Sequence, residues 1–590
     1  MKNRFWFLIF LSAVVGGPLP AQNLSARTEA DFERTADEFL AGYLAWRPAV
    51  GTSLGLHEYD GKVTDYRRSS LDAELARLRR FEERLERVPT NLLGPRAHYD
   101  HRILLAAIRS EIFSFVDARS YARNPITYAE AVSVNIYIKR DFAPLPERVR
   151  SIIAIEREVP AMLAAARANL DALLPRPFVE TALEVAGGSA SFLGKDLVEA
   201  LHDLSDRSLQ DEFQAVNARA IAALRAYTEY LKTEKLPKAH NRYALGREKF
   251  QKMLRSGELI SLSPERVLEI GLKELRREQE TFAAAARLID AAQKPIDVFR
   301  RIQKDHPGEN TLIPETMKNL EAIRQFVVDH RIVTLPSEVR VRVEETPAYD
   351  RATSFASMDT PGPFETKATE AYYYVTPVEK DWTPQQKEEW LTAFNYYTTD
   401  VVSIHEAYPG HYTQNLCLNA SSANRLEKIF SSYAFTEGWA HYAEQMLVDE
   451  GFGSSRSPPP TPAEKIRAAQ YRLAQSDEAL LRLCRLCVSI KTHCQGMSVD
   501  EATRFFQENC YYEAKPARQE AMRGTFDPGY LFYTLGKLQI LKLREDWRKQ
   551  EGAAFSLRRF HDELLRHGMP PLRLLREVML KDKAIWDEIL

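Results

Sequence analysis

The sequence has few cysteines and no surplus of either charge, and both shortages limit what the protein can be. Five of its 590 residues are cysteines, and because the number is odd at least one stays unpaired even if the others form disulfides. Acidic residues number 82 and basic residues 80, which gives a net charge of −2. This balance indicates neither a nucleic-acid surface nor a surface for anionic membranes.

Low-complexity segments and fixed-period repeats are also missing. Apolar residues make up 45% of the chain, which is enough for a large core. Cys484-x-x-Cys487, followed by His493-Cys494, could be a metal cluster. However, the segment has helical periodicity, and buried thiols on a helix are ordinary core residues, so the core interpretation is favoured.

Long apolar runs are absent except near the start. Lys2 and Arg4 precede an apolar run over residues 5–15, and small residues follow up to Ala21. This order predicts a signal peptide, residues 1–21, cut after Ala21, and the flanks disfavour the alternative of an N-terminal core helix. The run is shorter than the roughly 20 residues that span a bilayer, and no cysteine follows it. We therefore expect a periplasmic or secreted protein, residues 22–590, without a membrane anchor.

The rest of the chain predicts a mostly α-helical fold. From residue 27 to about 330, apolar residues recur at helical spacings, for example Leu71, Leu75 and Leu78. Two short β signals follow, an alternation over residues 339–343 and the run 371–375. Capping-box patterns predict helix starts after Thr383, Thr461 and Ser498.

The segment from His405 to His411 carries the clearest chemical signal. A compact H-E-x-x-H helix places its histidines four residues apart, so that both face one zinc ion. Here six residues separate them, which amounts to about 240° around an unbroken helix. Pro409 and Gly410 precede His411, and both residue types break helices. We therefore expect a break that turns His411 back toward His405.

A downstream carboxylate would complete the site. Catalytic zinc takes three protein ligands and leaves one position open, and two histidines with one glutamate form a known set. Glu437 would be the third ligand, and Glu406 the general base that takes a proton from water. Since the chain has only 13 histidines, an accidental grouping is disfavoured.

These motifs resemble the bacterial domain of unknown function 885 family, which is similar in turn to helical zinc peptidases such as angiotensin-converting enzyme and the oligopeptidases. The matching segments are His405-Glu406-x-x-Pro409-Gly410-His411-x-x-Gln414, Glu437-Gly438-Trp439-Ala440-x-Tyr442-Ala443-Glu444, His493-x-x-Gly496-Met497-Ser498 and Tyr533-x-x-Gly536-Lys537 with Leu543-Arg544. The chain departs from the family at Tyr412-Thr413, where His-Leu is more common, and at His441, where Leu is usual. His441 thereby becomes a rival ligand or a partner of a ligand.

The resemblance implies one two-lobed helical metallopeptidase-like domain with a central cleft and a small β element near the metal. Its N-terminal lobe would span about 22–330 and its metal-binding lobe about 331–590. A strand edge beside the metal would bind the substrate backbone, and the run 371–375 could supply it, although a sheet that only covers the helical core is the simpler interpretation.

Stabilising the oxyanion requires a further hydrogen-bond donor. The resemblance favours His493 and Tyr533 over Tyr530, while for each of them a purely structural role stays open. Glu444 could be solvated or could support a ligand. Lys537 and Arg544 could bind a substrate carboxylate, or they could pair with neighbours such as Glu545.

Three functions are consistent with these residues. The first is a zinc peptidase for short peptides, because helices around a deep cleft would exclude folded proteins. The second is a zinc hydrolase of another amide or an ester, since the chemistry of activated water is shared. The third is an exported metal-binding or structural protein without activity, against which Glu406 argues, because metal binding alone does not need it.

Overall fold

The computed structural model describes residues 21–347, 351, 354–454 and 460–590. The predicted signal peptide lies outside these residues except for Ala21. No helix within the described part of the chain is long and apolar enough to cross a membrane.

Residues 21–246, here called the N-terminal region, contain helices only. They are α1 (Ala21–Trp46), α2 (Pro48–Ser53), α3 (Arg68–Glu86), α4 (Pro95–Val116), α5 (Ser120–Arg123), α6 (Ile126–Glu130), α7 (Ile136–Lys139), α8 (Leu145–Asn169), α9 (Arg176–Gly194), α10 (Asp196–Ala200) and α11 (Arg207–Tyr230). Two apolar cores hold this region together, one around α1, α3 and α4 and one around α6, α8, α9 and α11. The expected helical stripes are the buried faces: Leu71, Leu78 and Leu85 of α3 are all buried.

Four more helices and a small sheet begin the C-terminal region, residues 247–590. They are α12 (Arg247–Gly257), α13 (Pro264–Ile289), α14 (Pro295–Ile302) and α15 (Leu312–Asp329), then β1 (Arg342–Glu345), β2 (Ala356–Asp359) and β3 (Tyr372–Val375). The strand order is β1-β3-β2, with β1 parallel and β2 antiparallel to β3. The sheet confirms the expected small β element, and β2 is a strand that the sequence pattern did not predict.

Helices complete the chain. They are α16 (Pro384–Ala393), α17 (Tyr396–Glu406), α18 (His411–Ala420), α19 (Arg425–Ile429), α20 (Tyr433–Asp449), α21 (Pro462–Gln495), α22 (Val499–Cys510), α23 (Ala514–Phe526), α24 (Phe532–Glu551), α25 (Leu557–Leu565) and α26 (Leu572–Met579). Helices α16, α21 and α22 begin at the three predicted capping boxes. The mostly helical fold is thus confirmed.

One large apolar core fills the C-terminal region from Phe250 to Ile589. Within it, α20 and α24 approach so closely that a Cβ on Gly438 would lie 2.6 Å from the Cα of Gly536. Any larger side chain would force these helices apart. The contact fixes the position of Glu437, which precedes Gly438, relative to Tyr533 on α24.

Candidate metal centre

The chain breaks its helix between the two candidate histidines. Helix α17 ends at Glu406 and α18 begins at His411, as the six-residue spacing predicts. In the turn, the Gly410 N–H donates to the Ile404 carbonyl at 3.0 Å. A Cβ on Gly410 would lie 1.7 Å from the His405 carbonyl oxygen, so only glycine fits. The break places the rings of His405 and His411 4.8 Å apart and nearly perpendicular.

Glu437 on α20 completes a group of three. Its Oε2 lies 3.5 Å from His405 Nε2 and 3.6 Å from His411 Nε2, and the three ligand atoms lie within 4.8 Å of one another. Zinc bonds of about 2.0–2.1 Å at tetrahedral angles separate neighbouring ligand atoms by about 3.3–3.5 Å. The Glu437 Oε2 atom is buried and accepts no hydrogen bond. These residues could therefore hold a zinc ion with little rearrangement.

A buried carboxylate orients His405 from behind. Glu444 Oε1 lies 2.6 Å from His405 Nδ1, which leaves Nε2 directed at the other two ligands. Glu444 is 0% exposed, and an Arg482 guanidinium nitrogen lies 3.4 Å from it. Carboxylate partners of this kind fix the tautomer and ring orientation of metal-binding histidines. Of the two roles considered for Glu444, the structure favours support of a ligand.

His405 consequently lies between two carboxylates. Burial acts to lower its pKa, but the interactions of the ring with the Glu437 and Glu444 carboxylates outweigh burial and raise the pKa to about 10. Burial acts to raise the pKa of Glu437. The neighbouring rings of His405 and His411 outweigh burial and hold the pKa of that carboxyl well below its usual value. The arrangement favours positive charge at its centre.

His441 does not join the group of three. It is fully buried, and its Nδ1 lies 3.0 Å from Glu444 Oε2. Burial, and then the charge of Lys537, lower the pKa of His441 to about 3, so its ring is neutral at pH 7. His441 is therefore a partner of Glu444, and it is not among the residues whose ligand atoms converge with that of Glu437.

Glu406 lies next to the ligands and is held by the sheet. Its Oε2 accepts a hydrogen bond of 3.2 Å from the Met358 N–H of β2. Among the described residues β2 pairs only with β3, and the Met358 N–H places its other edge beside the candidate site. The run 371–375 cannot bind a substrate backbone, because it forms the central strand and is paired on both sides. The alternative in which this run binds substrate is therefore excluded by its pairing, and β2 is the edge strand that lies beside Glu406.

Tyr533 is the proposed oxyanion donor that the structure brings to the site. Its ring lies 6.5 Å from the His405 ring, and its hydroxyl makes no hydrogen bond with any described residue. Burial, and then the charge of Glu437, raise the pKa of Tyr533, which keeps the hydroxyl protonated. A protonated, unengaged hydroxyl beside the ligands can donate to an oxyanion.

His493 is not brought to the site. It lies eleven residues after Arg482 on α21, or about 16 Å along the helix axis. Its Nε2 lies 2.8 Å from the Gly524 carbonyl, and its Nδ1 accepts from the Leu245 N–H at 3.2 Å. Burial lowers its pKa to about 4. With both ring nitrogens engaged and the ring in the core, His493 has a structural place and not a catalytic one.

The other candidates are buried or bonded to other residues. The Tyr530 hydroxyl is fully buried without a partner, next to Gly524. Arg544 donates to the Tyr442 hydroxyl at 3.0 Å, and Lys537 is buried at 5% exposure. Among the described residues the only metal-ligand group is the one at His405, which disfavours a cysteine cluster around Cys484.

Sequence reasoning missed three residues near the ligands. Met358 lies on the unpredicted strand β2, while the guanidinium groups of Arg482 and Arg485 lie 5.8 and 5.2 Å from the centre of the Tyr533 ring. The i, i+3 spacing of the two arginines on α21 was a visible signal that they share a helix face. Nothing in the sequence near Met358 indicated its role.

Comparisons with known proteins agree with this architecture. The family model described as a bacterial protein of unknown function (DUF885) matches residues 48–579. A solved structure from Shewanella oneidensis, assigned provisionally as a lipoprotein of unknown function, superposes with a TM-score of 0.75 at 22% identity. The match covers 94% of this chain and 100% of that one.

A second solved structure, from Colwellia psychrerythraea, is also assigned provisionally as a lipoprotein. It superposes with a TM-score of 0.73 at 16% identity and covers 96% of this chain and 99% of its own. At these identities the likeness shows a shared fold. No curated protein matches the chain.

Proposed function

The chain belongs to the DUF885 family of bacterial proteins of unknown function, and from this premise we propose that it is an exported zinc-dependent hydrolase that cleaves short peptides. The observation that carries the proposal is the spacing of 3.5 and 3.6 Å from Glu437 to the two histidines, with Glu406 next to a ligand. A site that only bound metal would need the three ligands, whereas an adjacent carboxylate held by a main-chain N–H suits a general base.

The zinc would be held by His405, His411 and Glu437. A bound zinc ion would polarise the scissile carbonyl and acidify a water molecule at the open position. Glu406 would take a proton from the attacking water as its oxygen bonds to the carbonyl carbon, and would pass that proton to the amine nitrogen as the C–N bond breaks. The Tyr533 hydroxyl donates a hydrogen bond to the carbonyl oxygen as negative charge develops there.

Two features favour an extended peptide as the substrate. The free edge of β2 offers main-chain groups beside Glu406, and such edges bind extended peptides as an added strand. His405 is 5% exposed and the other two ligands are half-buried, so the surface of a folded protein would not reach them.

Export is supported by the predicted signal peptide and by the provisional lipoprotein assignment of both structural neighbours.

Digestion of a peptide library tests this proposal. We expect residues 22–590, loaded with zinc, to cleave short peptides. A chelator should abolish this cleavage, and added zinc should restore it. His411→Ala should lose both zinc and cleavage, whereas His441→Ala should keep most of the zinc. Stoichiometric zinc without cleavage of any peptide would reject the peptidase proposal, and parallel ester and non-peptide amide libraries would then test the alternative hydrolase.

A further inference from the structure

We propose that Arg140, in the N-terminal region, is a positioning residue for the candidate site, because it holds β2 where Met358 meets Glu406. Arg140 lies between α7 and α8, more than 200 residues before the ligands in the sequence. The proposal concerns the same site as the proposed function and rests on it where turnover is concerned. Its structural part can be measured without any substrate.

The guanidinium of Arg140 ties together both ends of the connection between β2 and β3. One nitrogen, Nη2, donates to the Asp359 carboxylate at 2.7 Å, at the last residue of β2. The other, Nη1, donates to the main-chain carbonyls of Glu370 at 2.9 Å and Ala368 at 3.3 Å, just before β3. Arg140 is 6% exposed, so these bonds are shielded from water. A planar fork with several donors suits such a set of acceptors better than an ammonium group does.

The connection from residue 360 to 371 is also anchored by the N-terminal region at a second place. The Phe364 N–H donates to the Leu54 carbonyl at 3.0 Å, and His57 Nε2 lies 2.9 Å from the Glu365 carboxylate. A Cβ on Gly362 would lie 2.4 Å from the carbonyl carbon of Leu54, which shows how closely these two segments of the chain approach each other. The N-terminal region therefore contacts this connection at both of its ends and in its middle.

The position of strand β2 depends on these contacts because its pairing within the sheet holds it only weakly. It is four residues long, and within the described part of the chain it pairs with β3 alone. Among the described residues, Arg140 is the only partner of the Asp359 carboxylate, whose Oδ2 is buried without any hydrogen bond. Removing the guanidinium would leave a half-buried carboxylate, with one oxygen shielded from water, without its charged partner, and the end of β2 would move toward water to solvate it.

Such a movement of Asp359 would also displace the neighbouring residue, which contacts the candidate site. Met358 precedes Asp359, and its N–H is the group that holds Glu406. A displacement of about 1 Å in a positioned group can reduce turnover by about 10²-fold. Arg140 would thus control the geometry of the general base and of the substrate edge through its bonds to Ala368, Glu370 and Asp359.

Hydrogen exchange of β2 tests the inference directly. In the zinc-loaded protein, Arg140→Met should accelerate amide exchange in residues 355–359 at least about tenfold, since exchange reports local opening. Zinc content should stay at the wild-type level, and kcat/KM on a cleaved peptide should fall at least about tenfold. Arg140→Lys, which keeps the charge but loses the fork, should give intermediate exchange and intermediate kcat/KM. Should Arg140→Met not fold, Asp359→Asn provides the same measurement from the other partner.

Arg576 supplies a matched control. It is 1% exposed and donates to one aspartate, Asp546, and to the carbonyls of Ile585 and Trp586, so its loss should destabilise the fold similarly. Arg576→Met should leave the exchange of β2 and kcat/KM within about twofold of the wild type. Unchanged exchange of β2 in Arg140→Met, or an equal effect of Arg576→Met, would overturn the inference. If the wild type cleaves nothing, the proposed function fails, while exchange still decides whether Arg140 positions β2.

Discussion

At the scale of single residues, the candidate site contains three side chains that could bind a metal ion and two that hold one of these three in position. His405, His411 and Glu437 direct ligand atoms at one point, whereas Glu444 and His441 lie behind His405. The three residues that the structure groups together could be predicted, because the His405–His411 motif and a downstream glutamate suited to the same metal are both visible in the sequence. The sequence grouped His493 with them because that residue occurs in a matching motif, but the structure shows that its ring nitrogens bond to the main chain. A recurring motif can reflect packing as well as chemistry.

Tyr533 and Tyr530 provide a matched pair for the oxyanion donor. Tyr533→Phe should lower kcat by roughly 10²–10³-fold, the usual effect of losing one such donor, without changing zinc content. Tyr530→Phe should leave kcat unchanged, because its buried hydroxyl has no partner and lies in the core. Steady-state kinetics with metal analysis on both variants would check this. Equal effects in the two variants would remove Tyr533 from the mechanism.

At the scale of elements, the site depends on a helix break and on a strand edge. The break could be predicted, since Pro409 and Gly410 mark it in the sequence. The edge strand could not, because the alternation in Ala356-Ser357-Met358-Asp359 spans only four residues and includes no β-branched or aromatic side chain, so its extended shape depends on pairing with β3. Contacts between distant segments, such as Arg140 with Asp359, are equally invisible to local patterns.

Gly410→Ala tests the break. The added Cβ would overlap the His405 carbonyl oxygen, so the turn must open and both histidines must move. We expect loss of most of the bound zinc, measured by elemental analysis, together with a lower melting temperature. As a control, Gly187→Ala in α9 meets no atom within 4 Å and should keep all of its zinc, with stability equal to or slightly above the wild type. Full zinc in Gly410→Ala would contradict the proposed role of the break.

At the scale of the whole molecule, the fold class followed from the sequence, since helical periodicity runs through most of the chain. The distribution of cores did not. Helices α12–α15 share the large core of the helices around the candidate site, while the N-terminal region is built around two further cores, to which Ala368, Leu426 and Leu574 of the C-terminal region also contribute. Which helices share a core depends on long-range packing, and every amphipathic helix presents the same kind of apolar face.

The pH dependence of stability should reveal one buried carboxyl of the N-terminal region. Glu156 of α8 is 0% exposed, both of its carboxyl oxygens lack partners, and burial raises its pKa to about 8. The folded state therefore keeps a proton that the unfolded state releases near pH 4.5. The free energy of unfolding should fall as pH rises from about 4.5 to about 8, by on the order of 3–5 kcal/mol.

Glu156→Gln should remove this slope. The neutral amide mimics the protonated carboxyl, so the variant should match the wild type at pH 4.5 and exceed its stability at pH 9. Denaturant unfolding at a series of pH values measures the difference. Glu158→Gln, on the exposed side of the same helix, should keep the wild-type slope. A wild-type slope in Glu156→Gln would show that another group is responsible.

The central claim is that Glu406 acts as the general base at a zinc site, and one paired measurement on Glu406→Gln tests it most directly. The amide keeps the size of the side chain but cannot take a proton, so peptide turnover should fall by about 10²–10⁴-fold. Zinc stoichiometry should stay at the wild-type value, because Glu406 bonds to Met358 and not to the ligand group. Full zinc with turnover within about tenfold of the wild type, or loss of zinc together with turnover, would contradict the account.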